Sequence, residues 1–238
     1  MFGLQEQGDN GVALSSRSLL VAGGLAAGMG GNQLYVYGVV ECEDVEFETD
    51  GVEGASVAYS VEQPPLAAVV GDVDTMEPDR SDANIRAHEA VLQDLLAYDG
   101  GRTVVPMSFG MTFRDAETLR NLLEGAAPAF TKALEEIEGK IELGVKVVAP
   151  PEGTVDGTAI RQAAADRFDD IAAATTRGDQ FSDRLVLNRS FLVDRDDQEA
   201  FNEAVGEFQE EYDDLMVQYT GPWPAYNFAD IEIGAKQP

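Results

Sequence analysis

Leu34–Val40, LYVYGVV, is a near-continuous run of apolar, aromatic and β-branched residues, and no other stretch constrains the chain as much. A strand with one wet face alternates apolar and polar residues; a run that does not alternate reads as a strand buried in the middle of a sheet. Val57, Tyr59 and Val61 alternate with small polar residues, and Leu66–Val70 follows Pro64-Pro65. Two prolines break any helix and read as the turn between two strands.

From Ser81 the period changes. Ile85, His88, Leu92 and Leu95 fall on one helical face, widened by Val91 and Leu96, and Asp99-Gly100-Gly101 ends the helix. Thr103–Val105 is a short strand cut off by Pro106. A second helix starts near Asp115 with Leu119, Leu123, Ala126, Phe130, Leu134 and Ile137 on its stripe, and Pro128 is expected to kink or restart it. Ile141, Leu143, Val145 and Val147 then alternate with Glu142, Gly144 and Lys146 in a half-buried strand.

Pro150-Pro151-Glu152-Gly153 is the best boundary. Beyond it, Ile160, Ala164, Phe168 and Ile171 mark a helix and Arg184–Val193 a strand. The next helix carries Phe201, Val205, Phe208, Tyr212 and Leu215 on one face and nine acidic residues between Asp196 and Asp214 on the other. Val217–Thr220 is a last short strand. Strands and helices mix without strict βαβα alternation, so the class is α+β, in two small sheet-plus-helix domains over 32–149 and 152–220 with a tail over 221–238. Residues 1–31 carry only Glu6, Asp9 and Arg17 and hold the Gly-rich LLVAGGLAAGMGG; they make a poor signal peptide, and are expected to be disordered or an extension ahead of a start at Met29.

The chain of 238 residues has 16 Lys+Arg against 44 Asp+Glu, a formal net charge of −28. A phosphate-binding surface needs the opposite sign, which argues against nucleic acid as a partner and against docking on an anionic lipid membrane. Like charge spread along the chain keeps it soluble but repels the compact state; molar salt, with a Debye length of about 3 Å, relieves that repulsion. The pattern is that of a cytosolic protein from a salt-in halophile. Cys42 is the only cysteine and His88 the only histidine, so neither an internal disulfide nor a Cys/His zinc site can form within one chain.

Catalytic patterns fail one by one. His88 lies on the apolar stripe of its helix, where a packed, hydrogen-bonded imidazole is expected, and His88-Glu89 lacks the second histidine of a zincin because Leu92 stands at i+4. The glycines of residues 23–31 form no phosphate loop, and Ser108 has Pro106 where a nucleophile elbow needs glycine. Asp72/Asp74, Asp169/Asp170 and Asp194/Asp196/Asp197 read as a solvated acidic face. No cofactor is expected.

Two aromatic features stand out. Met107, Phe109, Met111 and Phe113 alternate after Pro106 as a soft apolar ladder, either core-facing or a docking patch for an apolar partner. Gly221-Pro-Trp-Pro-Ala-Tyr-Asn-Phe228 is a rigid loop in which Trp223, Tyr226 and Phe228 serve as staples over the core or as interface anchors.

LYVYGVVE (34–41), RTVVPMSFGMTF (102–113), ELGVKV (142–147), FSDRLVLNRSFLVD (181–194) and YTGPWPAYNFADIEIGA (219–235), in that order, resemble the gas vesicle protein F/L family over essentially everything from residue 34 onward. The resemblance implies a ferredoxin-like N-terminal domain and a second α+β domain. It also implies a non-enzymatic accessory or minor structural role in gas vesicle assembly in the cytoplasm. Its expected partners are the major gas vesicle shell protein A and other accessory gas vesicle proteins, with the Met107–Phe113 ladder or the Trp223–Phe228 loop as docking face. A small-ligand-sensing domain and a carboxylate–Mg²⁺ hydrolase are the alternatives from other functional classes.

Overall fold

In the computed structural model, which describes residues 33–152, 155–229 and 231, Gln33–Glu41 (β1) is the central strand that its sequence demands. It lies antiparallel to Leu66–Val73 (β4) on one side and to the two-residue strands Val105–Pro106 (β5) and Thr112–Phe113 (β6) on the other. Glu46–Glu48 (β2) and Val57–Gln63 (β3) extend the sheet outward from β4, giving the order β2-β3-β4-β1-β5 with β6 also on β1. The hairpin through Pro64-Pro65 is as expected.

Helices cover both faces of this sheet, which is why β1 does not alternate. Asp82–Ala97 (α1), capped by the Ser81 side chain accepting from the Asn84 N–H, packs Val91, Leu92, Leu95 and Leu96 against Tyr35, Tyr37 and Val40. Ala116–Ile137 (α2), capped by Asp115, packs Leu119, Leu123, Phe130 and Leu134 against Leu34, Val36 and Val39. The alternation of β1 slips once, at a register shift between Val36 and Gly38. A Cβ on Gly38 would lie 2.5 Å from Val104 Cγ2, so the close approach there requires glycine.

α2 runs through Pro128 as one helix, where a kink or restart was expected. Pro128 and Glu124, whose carbonyl loses its donor, both lie on the exposed side, so the unpaired carbonyl is not sealed in the core.

The second sheet has the order β10-β7-β9-β8, built from Lys140–Val148 (β7), Ala174–Arg177 (β8), Leu185–Asp194 (β9) and Met216–Trp223 (β10). Gly157–Phe168 (α3) and Gln198–Glu211 (α4) both pack on one face of it. Phe168, Phe191, Phe201 and Phe208, all fully buried, meet there with ring centroids 5.2–5.6 Å apart.

The α+β class is thus what the sequence indicates, and both sheets are antiparallel. The ferredoxin-like succession βαββαβ is found in this second sheet, whereas four strands precede α1 in the first. The strand 140–148, placed by the sequence reading in a first domain ending at residue 149, pairs with β9 and β10 instead. Its apolar side, Ile141, Leu143, Val145 and Val147, meets α3 and α4. The first sheet's own elements therefore end with α2. β10 likewise runs past the expected boundary at residue 220 and takes in Trp223, which lies opposite Glu142. The described residues form one compact unit, and Leu192 of β9 and Ala225 sit in the core between the first sheet and α2. Residues 1–31 and their expected disorder lie outside the described residues.

Candidate functional site

The two aromatic segments singled out in the sequence converge on His88. Tyr35 Oη lies 2.9 Å from His88 Nδ1 and accepts from the Gly110 N–H at 3.2 Å, while His88 Nε2 lies 3.2 Å from Tyr226 Oη. Each hydroxyl can donate or accept, so a neutral ring, with one N–H and one bare nitrogen, donates to one tyrosine and accepts from the other. The Phe109 ring closes the cluster, its centroid 5.8 Å from that of Tyr35 and 5.9 Å from that of His88, with the Arg80 guanidinium over the ring 5.4 Å from its centroid.

Burial decides the electrostatics. His88 is 3% exposed, and desolvation pulls its pKa down to about 4 against a smaller opposing backbone hydrogen bond at Met107. Burial likewise pushes Tyr35 and Tyr226 well above the usual phenol range and Tyr37 up to about 12. The imidazole is therefore neutral at pH 7 with both nitrogens engaged. It pins β1, the 107–113 segment and the tail together, the packed role expected of it.

Further contacts fasten the tail. Gln93 Nε2 donates to the Pro222 carbonyl at 2.7 Å. The Asn227 N–H donates to Glu142 Oε2 at 2.9 Å and its side-chain amide donates to Oε1, so the buried Glu142 carboxylate is satisfied by one residue of the tail. Gly221 sits at the register shift of β10 with φ +116°, where a Cβ would lie 2.8 Å from the Glu142 carbonyl oxygen. Phe228, Ala229 and Ile231 then pack on the core under α2.

The candidate residues therefore separate. Met107 is core, and Met111 and Phe113 are half-buried on the same side, against α2. Phe109 points to the α1 side, so the run is not one continuous ladder. A turn with Gly110 at φ +94° separates β5 from β6 and redirects the side chains. Phe228 is half-buried as a staple, Trp223 is half-buried, and Tyr226 stays 41% exposed. Sequence reasoning missed Tyr35, Gln93, Glu142 and Asn227 as members of this site; Glu142 lies opposite Leu192 of β9, on the side of β7 away from the helices, and only the fold brings Asn227 to it.

Of the carboxylates in the acidic pairs, Asp72 accepts from the Tyr59 hydroxyl, Asp169 pairs with Arg189 and Asp194 with Lys140. Among the described residues no group of three or more His, Cys, Asp or Glu could hold a metal, and no helix is long and apolar enough to cross a membrane.

The family described as "Gas vesicle synthesis protein GvpL/GvpF" matches residues 33–158 and 155–230. Gas vesicle protein F of Haloferax mediterranei is 52% identical over 207 residues, covering 87% of this chain and 97% of that protein. Gas vesicle protein F1 of Halobacterium salinarum is 48% identical over 204 residues, covering 86% and 96%. The crystal structure of the gas vesicle protein GvpF from Anabaena sp. superposes with a TM-score of 0.74 at 18% identity, covering 84% of this chain and 99% of that one, which supports the fold alone.

Proposed function

This chain belongs to the gas vesicle synthesis protein GvpL/GvpF family, and from that premise we propose that it is a non-enzymatic accessory or minor component of gas vesicle assembly. In this reading it works in the cytoplasm at the growing vesicle and binds the major shell protein A and other accessory gas vesicle proteins. A shell subunit must present an apolar surface to gas, and such a surface aggregates in water before assembly. A chain of net charge −28 bearing a small rigid aromatic patch is suited to hold it in solution.

The observation that carries the reading is the tail: Tyr226 is 41% exposed while its backbone is held on both flanks, at Gly221–Pro222 and at Asn227. Exposed aromatic groups fixed before binding lose little entropy on contact, the property of interface anchors. Met107 is buried, Met111, Phe113 and Phe228 pack on the core under α2 and Phe109 on the α1 side, which leaves the exposed Tyr226 and the half-buried Trp223 beside it as the proposed docking face.

The test is capture of shell protein A by the full chain in ~3 M KCl, where the acidic surface is screened. Trp223→Ala and Tyr226→Ser are expected to reduce capture by roughly tenfold, the effect of losing one interface anchor. Tyr226→Phe, which keeps the ring and loses only the hydroxyl toward His88, is expected to bind as the parent does. No capture by the parent chain contradicts direct contact; capture unaffected by both truncations contradicts the tail as its site.

A further inference from the structure

We infer that the groove between α3 and β8 is a binding site for an acidic, extended segment of a partner protein, added as a strand beside β8. This inference is independent of the shell-protein contact at the tail. The groove encloses about 720 Å³ and is lined by Arg161, Arg177 and Arg189 against one carboxylate, Asp169. Three of the chain's 16 basic residues thus converge in one place on a molecule that carries 44 acidic ones.

One of the three, Arg177, stands where folding alone would not put it. Arg177 of β8 and Arg189 of β9 are direct cross-strand partners on the helix-facing side, and like charges so opposed are unfavourable. Arg189 is compensated: it pairs with Asp169 at 2.8 Å, donates to Thr175 Oγ1 at 2.5 Å and lies over the Phe191 ring. Arg161 donates to the Val186 carbonyl and to Thr158 Oγ1, which fix its guanidinium without supplying an anion. Arg177 is exposed and, among the described residues, makes no ion pair and no side-chain hydrogen bond.

The shape selects the ligand. β8 ends the order of its sheet, and three of its four residues are exposed, so its outer edge offers backbone donors and acceptors to an incoming strand. Alternate side chains of such a strand lie on the side of Arg177, and guanidinium forks match carboxylates in bidentate geometry. In molar salt long-range steering vanishes, so the contact must act at hydrogen-bond distance, as a paired edge with charge-assisted bonds does.

The experiment uses the full chain in ~3 M KCl and a labelled octapeptide alternating valine and glutamate, followed by fluorescence anisotropy. The glutamate peptide is expected to bind roughly tenfold or more tightly than its valine–glutamine counterpart, and Arg161→Gln with Arg177→Gln to lose roughly that factor. Both arginines are exposed, so unchanged urea midpoints confirm that the variants fold. Equal affinity for the two peptides, or no effect of the substitutions, overturns the inference. Displacement of the peptide by equimolar inorganic phosphate also overturns it, since the site would then read an anion without a strand. So does a dimer in sedimentation velocity that Arg177→Gln dissociates, because a second copy would then occupy the groove.

Discussion

Phe168→Ala is expected to destabilise the chain by about 3–5 kcal/mol, the range for a large aromatic removed from a closed core. Phe168 ends α3 with 0% exposure, and its ring lies 5.6, 5.3 and 5.5 Å from those of Phe191, Phe201 and Phe208. These partners come from β9 and α4, which are tied to the rest of the sheet by their own ladders and packing, so the gap left by the ring cannot close by a local shift. The measurement is urea unfolding in molar KCl beside Phe181→Ala. Phe181 is 71% exposed, and its loss should stay within about 0.5 kcal/mol. Equal midpoints for the two variants would mean that the four rings do not form the second sheet's core.

The other large effect is on pH. The His88 pKa falls from 6.5 in the unfolded chain to about 4 in the folded one, mainly through burial. Between those values the unfolded state binds the extra proton, so stability contributed by the neutral, packed imidazole is complete above pH 6.5 and is lost as pH falls toward 4. The full loss is about 3 kcal/mol, at roughly 1.4 kcal/mol per pH unit. His88→Gln keeps one hydrogen-bond acceptor and one donor for the two tyrosine hydroxyls but does not titrate, and every other group is common to both proteins. The parent should therefore lose its stability relative to His88→Gln progressively from pH 6.5 to 4. Parallel stability curves would show that His88 is not buried neutral between the two tyrosines.

Elements with an apolar face were legible in the sequence. α1, α2 and α4 follow from their stripes and β1 from its unbroken run, because burial imposes a period on the residues themselves. β2 (EFE) and β8 (ATTR) escaped notice: they are edge strands with little apolar content, held by backbone bonds to β3 and β9. The alternation in β7 predicts a strand but says nothing about its partners, and β9, which pairs with it, lies some 45 residues further on. The site shows the same division. His88 was legible as a packed residue from its place on the α1 stripe. Its hydroxyl partners lie 53 and 138 residues away, and the Glu142–Asn227 pair spans 85, distances over which one sequence carries no pairing signal. The Met107–Phe113 run looked continuous because alternation assumes an unbroken strand; the turn at Gly110 breaks it.

The most direct measurement of the central claim is the fate of shell protein A diluted from denaturant into ~3 M KCl with and without the full chain. If this acidic protein holds the apolar subunit ready for assembly, an equimolar amount keeps shell protein A in the supernatant after high-speed centrifugation, while an equally acidic unrelated protein does not. If shell protein A pellets to the same extent with and without the chain, this protein does not hold the shell subunit in solution.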